Sequence, residues 1–173
     1  LAMAVRQLYD RIERLRFSLD PKDQAKAREL QQTEKLFAEE LYRTATEQNL
    51  PASQMATFQS ALAHACENDP KDAARGLRLY EKLAKSRPNS AAVVRGKARC
   101  QAALGNSREA LKLYERLVAG LPKKSPEWWR GQLEYLRYYI ELMQAEPAAA
   151  GLKGVRTQVR VLRYKDRNMG GYY

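Results

Sequence analysis

The sequence predicts an all-α chain of about four antiparallel helix hairpins, and three observations carry that prediction. The first is an internal echo at a spacing of 34 residues. Leu77, Leu79, Tyr80, Glu81, Leu83 and Pro88 return unchanged as Leu111, Leu113, Tyr114, Glu115, Leu117 and Pro122, and the two cysteines, Cys66 and Cys100, keep the same interval. A constant period of this length marks stacked units that each bury an apolar face against the next. The second is composition. Nine Gly and seven Pro interrupt 173 residues, and Val, Ile and Thr are few beside Ala, Leu, Arg, Lys, Glu and Gln, a mixture that favours helix. The third is a set of helix starts. Asp20-Pro21-Lys22-Asp23 and Asp69-Pro70-Lys71-Asp72 are one tetrapeptide used twice. In each, the first Asp accepts orphan N–H groups, Pro fits the first turn, and the second Asp complements the helix dipole.

Read at 3.6-residue periodicity, the first hairpin is predicted over 2–18 and 21–48, and the second over 53–68 and 70–86. The third covers 90–103 and 107–120, and the fourth 126–145 and 147–165. Val5, Leu8, Tyr9, Ile12, Leu15 and Leu19 form the buried stripe expected of the first helix; Ala27, Leu30, Phe37, Leu41 and Ala45 form that of the second. Ser107-Arg108-Glu109 is a weaker start after Gly105-Asn106, and Glu146-Pro147 opens the last helix. The two Asp-Pro-Lys-Asp starts lie 49 residues apart, so the extra length falls in helix 21–48. A lengthened first unit is what a terminal cap of an array looks like. The expected organisation is one helical-repeat domain over 1–173: an irregular first hairpin 1–50, the clearest repeats 57–122, a final hairpin 126–167 and an irregular tail 168–173.

Charge is placed unevenly. Residues 1–70 hold 9 Lys/Arg against 11 Asp/Glu, whereas 71–173 hold 22 against 9, so an acidic partner is expected to meet the second half. No apolar run approaches the ~20 residues of a membrane span. The chain opens at Leu1 and shows no legible signal peptide, which predicts a soluble segment of something longer and assigns no compartment. Two cysteines make no disulfide framework, and both are expected to pack as small hydrophobes.

At these residues the chain resembles the tetratricopeptide repeat family. Placing Pro122 at the family's position 32 puts Val94 at 4, Ala98 at 8, Gly105 at 15, Ala110 at 20, Tyr114 at 24 and Leu117 at 27. Placing Pro88 there puts His64 at 8, Gly76 at 20, Tyr80 at 24 and Leu83 at 27, and the following unit offers Trp128 at 4 and Tyr135 at 11. The match is close over 57–139. His64 and Gln132 depart from it by occupying the small-residue position 8, which implies looser packing, similar to degenerate repeats of large bacterial scaffold proteins. The resemblance implies a right-handed superhelical α-solenoid that binds proteins or peptides and has no catalytic role.

It also implies that the first helix of each hairpin lines a concave groove. The positions carried over there include Arg95, Arg99, Trp129, Leu133 and Arg137, a set suited to an acidic, partly apolar peptide. The opposing reading is a solvated arginine pair beside a core tryptophan. A subset of the family clamps C-terminal carboxylates, but of the corresponding residues Ala61, Ala65, Gly96, Pro126 and Arg130 only the last fits, which argues against such a clamp.

Two further features stand apart. Helix 126–145 is apolar over most of its girth, with Arg130, Glu134, Arg137 and Glu141 as a polar seam; it is either buried on both sides or, through Trp128 and Trp129, a contact for a second copy. The last helix carries Lys153, Arg156, Arg160, Arg163 and Arg167 along one stripe. That ridge is either a solvated outer face or a site for RNA, DNA or an acidic membrane surface. A purely architectural segment of a longer solenoid is the third reading. No metal spacing, phosphate loop or nucleophile motif is present, so no metal, cofactor or enzymatic activity is expected.

Overall fold

The computed structural model describes residues 2–16, 20–67, 69–145 and 152–167; at 2–6, 9, 16, 144, 145, 152 and 153 it describes the backbone alone. Among the described residues all regular structure is helical: α1 (Ala2–Arg16), α2 (Pro21–Glu47), α3 (Ala52–Cys66), α4 (Ala73–Ser86), α5 (Ala91–Ala103), α6 (Ser107–Gly120), α7 (Pro126–Ala145) and α8 (Leu152–Lys165). Successive helices pack on one another within two compact units, residues 1–86 and 87–173. The sequence reads as one continuous array, whereas the chain divides between α4 and α5. None of the described helices is long and apolar enough to cross a membrane.

The first unit holds α1 to α4. Asp20 caps α2 as expected, its Oδ1 accepting from Lys22 N at 2.8 Å. The second Asp-Pro-Lys-Asp behaves differently. Asp69 accepts from Lys71 N at 3.0 Å, but residues 70–72 form a turn and α4 starts only at Ala73. Asp72 meanwhile turns its carboxylate to Lys35 of α2, tying the long helix to the next hairpin. At its far end α2 stops on Asn49, whose positive φ of 50° lets Leu50 N reach back to Ala45 O.

The buried face of α2 is Ala27, Glu34, Ala38 and Ala45. Phe37, expected inside, is 60% exposed beside Leu36. The small alanines let neighbouring helices come close and leave no room for a ring on that face. In α1, Ile12 is fully buried and Leu8 and Leu15 half-buried; the side chains of Val5, Tyr9 and Leu19 lie outside the described set.

The second unit holds α5 to α8. Ala98 and Ala110 are fully buried, and Tyr114 is sealed between them and Leu117. A Cβ added at Gly131 of α7 would stand 3.1 Å from Val118 of α6, so the absence of a side chain sets that approach. Trp128 and Trp129 meet edge to face at 4.8 Å inside a core completed by Leu136, Met143, Val155 and Leu162. The last helix begins at Leu152; the expected start at Glu146-Pro147 and the tail 168–173 lie outside the described residues.

The turn from α5 to α6 depends on Gly105. Its φ of +82° brings Asn106 N to Gln101 O at 2.9 Å and Gly105 N to Ala102 O at 3.0 Å, satisfying two carbonyls at the helix end. Gly105→Ala places a Cβ in the left-handed region at about 1–2 kcal/mol. Urea denaturation followed by helical circular dichroism should show that loss without a change in native helicity.

Candidate functional site

Each unit buries a knot of charge. In the second unit the knot is Glu134 of α7, 3% exposed. Arg95 Nε donates to Glu134 Oε2 at 3.0 Å, Arg99 Nη2 donates to Oε1, and Arg130 Nε lies 3.6 Å from Oε1. Arg95 and Arg99 are themselves 7% and 3% exposed. Burial pushes the Glu134 carboxyl up, but Arg99, Arg95 and Arg130 outweigh it and hold the group below the ordinary glutamate range. Three guanidinium groups share one carboxylate, and Arg95 Nη2 is buried without a hydrogen-bond partner among the described residues.

The five residues expected in the groove are therefore divided. Arg95 and Arg99 are neither solvated nor presented to a ligand; they fasten α5 to α7. Trp129 belongs to the core, Leu133 is half-buried, and Arg137 is exposed and pairs with Glu141 at 3.1 Å. Trp128 is as buried as Trp129, so neither ring is offered to a second copy. Sequence reasoning placed Glu134 on a polar seam and missed its role as the acceptor for both arginines. The signal available was the separation: 39 and 35 residues, about one repeat.

The ridge is disposed otherwise. Arg156, Arg160, Arg163 and Arg167 are all exposed, while Val155 and Leu162 face the core. The Lys153 side chain lies outside the described set. On another side of α8, Thr157, Val161 and Lys165 line a cavity of about 730 Å³ with Gln132 and Tyr139 of α7. Gln132 also borders a smaller cavity of about 290 Å³ toward α6, and its Oε1 is buried without a hydrogen-bond partner among the described residues.

The first unit's knot is His64, 5% exposed. Its Nδ1 stands 2.7 Å from Glu34 Oε1, and since a carboxylate only accepts, Nδ1 carries the proton. Its Nε2 faces Glu67 Oε1 at 3.4 Å and Glu13 Oε1 at 3.8 Å. Tyr80 Oη donates to Glu67 Oε2 at 2.8 Å, so this hydroxyl reaches a buried carboxylate. Cys66 and Cys100 are fully buried and form no disulfide with each other, and burial pushes the Cys66 thiol up to about 11, which leaves it protonated and unreactive near neutrality.

Residues 67–133 match the family model of the tetratricopeptide repeat. No curated protein and no solved structure matches the chain.

Removing the carboxylate charge with Glu134→Gln leaves three buried guanidinium groups around a neutral amide, at a cost of about 3 kcal/mol. Because the folded pKa is depressed, the stability Glu134 contributes is complete above the ordinary carboxylate range and is lost as pH falls through the lowered folded value. Denaturation of wild type and variant across pH should show a gap that is full near neutrality and narrows on acidification.

Proposed function

We propose that the chain, whose residues 67–133 match the tetratricopeptide repeat, is a non-catalytic scaffold that binds an acidic protein segment through its second unit. Repeats of this family build protein-interaction surfaces and are typically without catalysis. The observation that carries the finer reading is the exposed row Arg156, Arg160 and Arg163 on α8, with exposed Arg167 in the turn that follows. These cations sit in a unit with 17 Lys/Arg against 7 Asp/Glu. Arg95 and Arg99 already spend their charge on Glu134, so an acidic ligand meets α8 in preference to the expected groove. Guanidinium groups at helical spacing take carboxylates on a partner helix or extended strand by paired, charge-assisted hydrogen bonds.

A glutamate-rich peptide is the direct probe, with single-stranded RNA and anionic vesicles as competitors. Each exposed pair is worth about 0.5 kcal/mol, so replacing Arg156, Arg160 and Arg163 together by Gln lowers peptide affinity about tenfold. Fluorescence anisotropy at fixed salt measures this, with circular dichroism confirming the fold. Unchanged peptide affinity in the triple variant sinks the reading. RNA binding far tighter than peptide, with log affinity falling steeply against log salt, replaces it with a phosphate-polymer ligand.

A further inference from the structure

We infer that the first unit holds a divalent transition-metal cation on Glu13, His64 and Glu67. One ligand atom from each of these buried residues lies within 4.8 Å of the others. Two distances separate this arrangement from an ordinary hydrogen-bonded histidine. At Nδ1 the contact with Glu34 is 2.7 Å, a hydrogen-bond length. At Nε2 the contacts with Glu67 and Glu13 are 3.4 and 3.8 Å, beyond hydrogen-bond length. Zinc takes nitrogen and carboxylate oxygen at about 2.0–2.2 Å, so adjacent ligand atoms in a tetrahedral site stand about 3.3–3.6 Å apart. The Nε2 contacts match that edge to within a few tenths of an ångström.

The surroundings are those of a metal-binding imidazole. Glu34 accepts the Nδ1 proton and so directs the Nε2 lone pair toward Glu13 and Glu67, the carboxylate–histidine arrangement that orients metal ligands. Tyr80 holds Oε2 of Glu67 and leaves Oε1 turned to the imidazole. Glu34 Oε2, on a residue 1% exposed, has no hydrogen-bond partner among the described residues. With the imidazole neutral as a ligand, the three carboxylates of the knot exceed a dication's charge by one, so the pocket attracts a divalent cation. An imidazole nitrogen among few carboxylates favours zinc-like ions over calcium, which takes six to eight oxygens, and over magnesium, which keeps its water.

Such an ion has a structural role. Its ligands come from α1 and from the last turn and cap of α3, with Glu34 of α2 behind them, so it staples the first hairpin to the second. His64-Ala-Cys-Glu67 is the only part of the site visible in the sequence, an i,i+3 pair on one helix face.

The test uses the full chain, stripped with chelator and titrated with Zn²⁺. Calorimetry and elemental analysis should find one equivalent bound and the melting temperature raised, with the same stoichiometry in Cys66→Ala. His64→Gln and Glu13→Gln should each abolish binding, and Glu34→Gln should weaken it 10- to 100-fold. Co²⁺ in place of zinc should give a tetrahedral visible spectrum without thiolate charge transfer. Wild-type protein that takes up neither Zn²⁺ nor Co²⁺, or folded His64→Gln that binds as well as wild type, overturns the inference. So does a melting temperature that moves with pH alone and not with metal.

Discussion

The packing of this chain depends on how it compensates ionised groups taken out of water. An uncompensated buried charge costs several kcal/mol, comparable with much of a small domain's stability. The second unit meets that cost with arginine. Glu134 sits under Arg95, Arg99 and Arg130, and the attraction of three guanidinium groups exceeds the desolvation of one carboxylate, as its lowered pKa records. Planar guanidinium groups suit this task because they fork onto carboxylate oxygens and are less strongly hydrated than ammonium. The first unit inverts the signs: one imidazole is set among three carboxylates.

Both knots follow from the way hairpins stack. A period of 34 residues means that a side chain meets the equivalent turn of the next hairpin about one period later. Several polar contacts between helices obey this, among them Gln31 to Ala65 at 34, Lys35 to Asp72 at 37, Arg75 to Glu39 at 36 and Arg99 to Glu134 at 35. In each unit an ion pair ties helices of the same rank in successive hairpins, Arg75 to Glu39 between α4 and α2 and Arg99 to Glu134 between α5 and α7. The pairs near the surface, such as Arg75 with Glu39, add little stability. The buried ones decide which turns can stand opposite each other, since any other register strands a charge.

Much of this was legible in the sequence, and what was not has a common cause. The helices α6 and α7 fall where turn chemistry and periodicity place them, because their limits are local: a glycine at φ +82°, prolines, a hydrophobic period. The start of α4 was misplaced because Asp72 is drawn to Lys35, a partner on another helix. Arg95 and Arg99 read as surface cations because charge on a helix is usually solvated. Nothing within a single helix reveals that Glu134 lies opposite. Phe37 failed the other way: its apolarity suggested burial, but the face of α2 that packs is built from alanines too closely set to admit a ring. Local rules locate elements, and the contents of the interfaces need the pairing between them.

That pairing also limits where a repeat protein can carry recognition. Positions such as Ala98, Ala110, Gly76 and Leu83 are consumed by stacking, and changing them alters the approach of two helices. Polar residues placed at the interface, as at His64 and Gln132, need partners, and Gln132 Oε1 is buried without one among the described residues. Only faces turned away from any neighbour can change charge without that cost. On α8 Val155 and Leu162 supply the core contact and the arginines are exposed. An exposed arginine row adds to self-repulsion in a unit already strongly basic, so it weakens the unit slightly when nothing is bound. A partner that supplies carboxylates removes that repulsion as it binds. On the proposed reading, the same physics that draws Arg95 and Arg99 inward onto Glu134 favours opposite charge from outside at the α8 row.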